Sequence, residues 1–419
     1  MGIVTAWIMV LLMGWSASVY AEEALLMPHH DELTYDPALT LGDVVAATEK
    51  VYPRSHLVSA LEEESSAWRK RAGGLLAGPV MLGATYSGDQ VGDDTGQWSI
   101  DTDLTFMIWK WGQRAAAKQV AGQAVRYAQA YRRALKLQVA GLVREALWDL
   151  QMKKVDYETA RNVLAVNQQL TDVVRKRVEA GDLPRTDLLL AQTHLLQRRS
   201  EAVAAEAEWM HARRRYLNLT RMDRAPASFA ETLTDRKAIG LDHPLLAAIT
   251  AKLEEEKARA EWTKFESDTG NQQVYFTVGS HHEHTERGGQ TINGMVANLT
   301  LPFGGGTYQA PNIASARTAL AEAEAERGDL FRRLERDLHE ARHALEIARV
   351  QKQQAEARHQ LAAENLALGR KAFEAGEMNL IDLLKIQLLA QEAQRDLEAW
   401  RVKAKSAVAQ YNQTVGELP

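Results

Sequence analysis

Apolar and polar positions alternate most sharply over residues 98–109. Trp98, Ile100, Thr102, Leu104, Phe106 and Ile108 fall on one side of an extended chain, and Ser99, Asp101, Asp103, Thr105 and Met107 on the other. A period of two, apolar against polar, is the pattern of a β-strand that separates lipid from water. Val80, Leu82, Ala84 and Tyr86 alternate in the same way with Met81, Gly83, Thr85 and Ser87, and the Gly- and Asp-rich residues 88–97 read as the hairpin loop between the two strands. Farther on, Val274, Phe276 and Val278 alternate well, while residues 291–303 are irregular enough to admit a bulge.

After each strand pair the period changes. Residues 112–180 hold no proline and few glycines, which predicts a helix of roughly 100 Å at 1.5 Å per residue. A second such run spans residues 313–375. Each ends at a glycine and is followed by a shorter helix with apolar residues every seven positions. The series are Leu188, Leu195, Ala202, Trp209, Tyr216 and Leu383, Ala390, Leu397, Ala404, Tyr411. A strict seven-residue repeat makes helices wind around one another as a coiled coil.

The two series are one pattern written twice. Ala180-Gly181-Asp182-Leu183 aligns with Ala375-Gly376-Glu377-Met378 at a constant shift of 195, and the same shift lays Arg175 on Arg370, Glu179 on Glu374, Gln192 on Gln387 and Tyr216 on Tyr411. Upstream, Pro53 and Pro244 each precede a Leu-Glu-Glu-Glu run, Leu61 to Glu64 and Leu253 to Glu256, so each proline is expected in a first helical turn. The chain therefore divides into a leader (1–21), a tail (22–52), a first repeat (53–220, hairpin 79–111, turn 181–185), a linker (221–243) and a second repeat (244–419, hairpin 272–303, turn 376–379).

Composition narrows the class. Lys plus Arg is 50 and Asp plus Glu 55, a balance that argues against nucleic-acid binding. The absence of cysteine excludes a thiol nucleophile, a cysteine zinc site, a disulfide framework and lipid attachment through a cysteine. The apolar residues 3–15 followed by Val19-Tyr20-Ala21 read as a secretory leader, although it lacks the usual basic residues. No other stretch approaches the ~18 apolar residues of a spanning helix, so residence in a membrane would have to be by strands. Four strands are too few, since the smallest single-chain barrels use about eight, and an open sheet edge in lipid leaves backbone groups unsatisfied. Other copies of the chain must complete the sheet.

This order of elements resembles the TolC family of outer-membrane efflux proteins. Near the turns that family shows a signature similar to R-x-E-A-G-x-x-S-x-x-D. Arg177, Glu179, Ala180, Gly181 and Asp187 match it in the first copy, and Glu374, Ala375, Gly376 and Asp382 in the second. Pro184 and Asn379 stand where serine is common, and Ala372 replaces the arginine. Leu301-Pro302-Phe303-Gly304 resembles the family's strand exit. The resemblance implies a mixed α/β membrane protein without a cofactor, in which a long coiled-coil α-helical barrel joins a β-barrel given four strands per chain. It implies a homotrimer in the outer membrane with a periplasmic extension, working with a periplasmic adaptor and an inner-membrane pump. The tail and linker would form a belt around the helices. Arg177, Gly181, Asp182, Asp187, Gly376, Glu377 and Asp382 would lie at the periplasmic tip, where the gate opens and the adaptor docks. Trp98, Ile100, Leu104, Phe106 and Ile108 would face lipid.

Candidate chemistry is sparse. Asp182, Asp187, Glu377 and Asp382 gather acidic charge at the turns, either as helix-end groups that favour the macrodipole or as a cation-selective mouth. His281-His282-Glu283-His284 falls at the expected tip of the second hairpin, and His29-His30-Asp31-Glu32 repeats the theme near the start of the mature chain. Imidazole and carboxylate are ligands for zinc, copper, nickel and cobalt, so His281, His282 and His284 are candidate metal ligands and heavy-metal cations are the preferred cargo. These clusters also resemble the cobalt-zinc-cadmium branch of the family. Drug efflux, protein secretion through the same fold, and a soluble periplasmic coiled-coil scaffold are the alternatives. Gly304-Gly305-Gly306 lacks the Lys-Ser/Thr of a phosphate-binding loop, and no enzymatic activity is expected.

Overall fold

A computed structural model describes residues 32–265, 273–304 and 306–419. The leader and His29-His30-Asp31 lie outside them. The elements run β1 (Thr34–Asp36), α1 (Leu41–Val51), α2 (Ser55–Gly73), β2 (Met81–Gly88), β3 (Trp98–Ile108), α3 (Gln113–Glu179), α4 (Arg185–Thr220), β4 (Arg224–Pro226), α5 (Pro244–Thr263), β5 (Val274–His284), β6 (Thr291–Thr300), α6 (Gly306–Glu374) and α7 (Leu380–Thr414).

Four differences from the sequence reading have local causes. The expected tail contains a helix, α1, started by a capping box in which Thr40 and Asp43 satisfy each other's backbone N–H groups. Pro244 is the first residue of α5 as expected, but Pro53 sits outside α2, whose N-cap is Arg54. The helix α6 starts at Gly306 and carries Pro311 near its beginning. No bulge interrupts β6, which pairs residue for residue with β5 from Thr291↔His284 to Thr300↔Tyr275.

The two long helices and their returning partners form the shaft. Along α4 and α7 none of the ten heptad residues is exposed: these stripes are the faces turned onto α3 and α6, as a seven-residue seam requires. The tail and linker meet as the parallel pair β1–β4, with Tyr35 opposite Ala225. Leu41, Val44 and Val45 of α1 share a core with Leu135, Val139, Val143 and Leu147 of α3 and with Tyr216 of α4. The Tyr216 hydroxyl donates to the carbonyl of Arg224 at 2.9 Å, and burial pushes its pKa up to about 12.

A polar knot closes this waist. Arg144 is 4% exposed and donates to both carboxylate oxygens of Glu231, at 2.7 and 2.8 Å, and to the carbonyl of Glu417. The amide of Asn412 donates to the same Glu231 at 3.0 Å and to the carbonyl of Thr232 at 2.8 Å. Linker, α3 and chain end are thereby held at one charged centre. Nearer the sheet, Arg259 of α5 bonds Glu255 on its own helix and Glu64 on α2, bridging the two Leu-Glu-Glu-Glu runs of the repeat. Burial raises the pKa of Glu255 despite that partner.

Candidate functional site

The strands form one antiparallel sheet in the order β2-β3-β5-β6. Register places Leu82, Ala84 and Tyr86 of β2 beside Leu104, Thr102 and Ile100 of β3, and those beside Val278, Ser280 and His282 of β5. The apolar residues of β3 thus share one face with Leu82, Val278, Met295 and Leu299, an arrangement inside out for a soluble protein, while Met81, Ile292 and Val296 lie exposed on the other face. Ile100, Thr102, Leu104 and Ile108 are exposed while Asp101, Asp103 and Thr105 between them are half-buried. Leu82 is 78% exposed, Met295 86% and Leu299 56%. Three of the strands have 10 or 11 residues and β2 has 8, close to the ~9–11 a membrane-crossing strand needs. On the half-buried face polar groups bond across the strands: Ser87 with Ser99 and Thr105 with Thr277, each at 2.8 Å. Both edge strands, β2 and β6, have an unpaired side among the described residues. At the junction with the helices, Trp111 and Phe303 are exposed, and Arg71 lies over the rings of both Trp68 and Trp262.

At the far end of the shaft both turns have the same construction. Gly181 and Gly376 adopt φ of +85° and +77°, a left-handed conformation that a Cβ makes costly. The N–H of Asp182 bonds the carbonyl of Arg177 at 2.8 Å and that of Glu377 bonds Ala372 at 2.9 Å, while Gly181 and Gly376 bond Val178 and Phe373. This is the Schellman ending of a helix. The returning helices differ in their start. The Asn379 side chain accepts from the N–H of Asp382 at 2.8 Å and donates to its carboxylate, whereas Pro184 offers α4 no side-chain cap. The Lys385 ammonium and the Asn379 amide hold the Asp382 carboxyl below its ordinary range. Asp187 sits in the first turn of α4, and Asp182 and Glu377 are exposed. The turns are joined by a small core of Val174, Ala191, Phe373, Leu380 and Leu383. Arg177 reaches across, donating to the carbonyl of Phe373 at 2.9 Å with its guanidinium 4.9 Å from the centre of that ring.

Residues 76–220, from before the first hairpin to the end of α4, match the family model described as Outer membrane efflux protein. Solved structures resemble about nine-tenths of the chain. The outer membrane protein VceC from Vibrio cholerae has a TM-score of 0.71 at 16% identity, covering 90% of this chain and 97% of that one. The CmeC outer membrane channel from Campylobacter jejuni has 0.72 at 14%, covering 90% and 85%. The open-state MtrE outer membrane channel of Neisseria gonorrhoeae has 0.68 at 15%, covering 92% and 91%. The fold is that of a TolC-like outer-membrane channel. No curated protein matches the sequence.

In this TolC-like frame the histidine run, expected at the hairpin tip, is the last part of a strand. His281, His282 and His284 belong to β5, which extends to the hairpin end because β3 pairs with it as far as Trp98↔His284. Alternation then separates them. His281 is on the polar face, its Nδ1 2.6 Å from Asp101 and its Nε2 3.4 Å from Glu283. His282 and His284 are on the opposite face, where His282 meets Asn293 and His284 stacks on Trp98. Among the described residues no group of three or more histidine, aspartate or glutamate side chains is gathered to hold a metal ion, so the run does not form a three-histidine site.

One motif that the coiled-coil pattern hides is His339-Glu340-Ala341-Arg342-His343 on α6, an H-E-x-x-H spacing written plainly in the sequence. In zinc hydrolases that spacing serves a site with a further protein ligand and an open metal position. Here both imidazoles are exposed on a helix surface, and Glu340, the residue that would act as base, lies 3.7 Å from Arg336.

Proposed function

We propose that three copies of this chain form an outer-membrane efflux channel, exported by the N-terminal leader and linked through a periplasmic adaptor to an inner-membrane pump. The observation that carries this reading is the inside-out strand β3, apolar and exposed on one face and polar on the other, in a sheet whose two edges are unpaired among the described residues. Three such sheets would pair edge to edge into twelve strands, leaving no backbone group unsatisfied in lipid. The helices support the same assembly. Within the chain α4 packs on α3 and α1, and α6 on α5 and α7. Yet both carry a second apolar stripe at heptad spacing, Leu189 and Leu196 on α4 and Ile347, Leu361 and Leu368 on α6, all more than half exposed. Leu189 and Leu196 of α4 and Leu361 and Leu368 of α6 all fall within about four helical turns of the tip, so these two stretches would meet between neighbouring copies.

No helix among the described residues is long and apolar enough to cross a membrane, which is compatible with strands as the spanning elements. For cargo we favour divalent metal cations. His281, with Asp101 and Glu283 beside it, would put imidazole and carboxylate groups on the lumen side of each sheet three times around the mouth, as polar groups along the path and not as a three-ligand metal site.

Two variants test the tip. In the trimer Asp182 and Glu377 would contribute six carboxylates around the narrow end, attracting cations and excluding anions. Purified protein in planar bilayers should conduct with cation preference, and Asp182→Asn with Glu377→Gln should lower that preference at unchanged trimer yield. A reversal potential across a salt gradient that does not move in the double variant would reduce these acids to helix-end chemistry. Separately, a Cβ added at Gly181 or Gly376 meets no atom within 4 Å, so the main cost of valine there is the left-handed backbone, about 1–2 kcal/mol at each turn. Efflux per inserted channel should fall more than insertion does. Poor insertion with normal transport per channel would mean the turns are not the working end.

A further inference from the structure

We infer that His339 and His343 of α6 form a binding site for a divalent transition-metal ion on the shaft, separate from the sheet and from the tip. Four positions apart, the two side chains stand one above the other on one helix face. Their rings are already in contact, with centres 4.6 Å apart and planes at 69°. Metal–nitrogen bonds of about 2.0–2.1 Å put two imidazole centres roughly 4.5–5.2 Å apart when their angle at the ion is between square and tetrahedral. The pair therefore stands at the separation that a shared ion would set.

The surroundings leave the site to the two imidazoles. Neither ring takes part in a hydrogen bond or ion pair among the described residues. The nearby arginines are engaged elsewhere: Arg342 donates to the carbonyl of Lys237 at 2.8 Å, and Arg336 bonds Asp337 and lies near Glu340. Glu335, one turn before His339, lines the same surface depression together with Lys237 and Arg342, so the site's affinity would come from the imidazoles and not from local negative charge. Two imidazoles suit copper, nickel, zinc or cobalt, with copper held most tightly by the usual order of divalent affinities. Water fills the remaining positions, because no third protein donor is gathered there. That makes this a binding site without the three-ligand frame of a catalytic zinc. It rests on α6 alone and does not depend on which cargo the channel carries.

The test is a copper titration of the full-length protein in detergent, followed by electron paramagnetic resonance and repeated with zinc by calorimetry. Wild type should show a nitrogen-coordinated copper site, and His339→Ala and His343→Ala should each weaken it ~tenfold or more, in the range seen when metal sites lose supporting groups. Both positions are exposed in the single chain, so helix content should not change, and trimer yield is measured for each variant because Ile347 of the proposed seam lies one turn from His343. His281→Ala, measured in the same series, should leave this site intact. Copper binding that survives the His339→Ala/His343→Ala double variant, is absent from wild type, or is lost only with His281→Ala overturns the assignment. The channel reading is judged separately, by conductance of the same preparations.

Discussion

Arginine at Leu104 will cost about 2–4 kcal/mol of assembly stability if that position lies near the middle of the bilayer, and arginine one residue earlier, at Asp103, will cost far less. Leu104 is 44% exposed on the apolar face, flanked by Leu82 and Val278 across the sheet. A guanidinium there must be buried in hydrocarbon or drag water in with it. The Asp103 side chain is on the other face, where Thr105 donates to its carboxylate at 3.2 Å, and a cation there would meet polar groups and water. The outer-membrane yield of heat-stable oligomer measures the difference. Equal losses at the two positions would reject the facing assigned to the sheet.

Alanine at Arg144 will be the most damaging change in the shaft, at about 3–5 kcal/mol. The guanidinium is almost wholly buried and Glu231 is 15% exposed at its side chain, so truncation leaves a carboxylate out of water with only the Asn412 amide for company. The cost is the stranded charge more than the lost attraction. Thermal unfolding in detergent should therefore show Arg144→Ala with Glu231→Ala to be more stable than Arg144→Ala alone. Additive losses in that double-mutant cycle would mean that the two side chains act independently.

How much could be read in advance depended on the range of the physics. The strand from Trp98 to Ile108 was legible because its two faces meet opposite environments, and the alternation records that residue by residue. The helix-ending glycines were legible because a left-handed turn needs no partner to favour glycine. His281 to His284 were expected at the hairpin tip and do stand at its end, but their place inside β5 was not legible because polar residues carry little local strand preference. Pairing with Trp98 to Asp101, far away in sequence, decides their conformation and which of them share a face. The helix α1 was missed although Thr40 and Asp43 announce its start, since a stretch assigned to a belt hid the cap. Arg144 and Glu231 could not have been paired from sequence, as nothing local joins α3 to the linker. The H-E-x-x-H run in α6 was written in the sequence, and only the structure shows its imidazoles exposed and in contact.

The most direct test of the central claim is the copy number of protein extracted from outer membranes in detergent, measured by sedimentation with the bound detergent subtracted. The inside-out strand β3, in a sheet whose two edges are unpaired among the described residues, and the unpartnered stripes on α4 and α6 require neighbours, so the account predicts a complex of three chains that cannot be recovered without detergent. A soluble monomer, obtained after removal of residues 1–21 and stable in plain buffer, would contradict it.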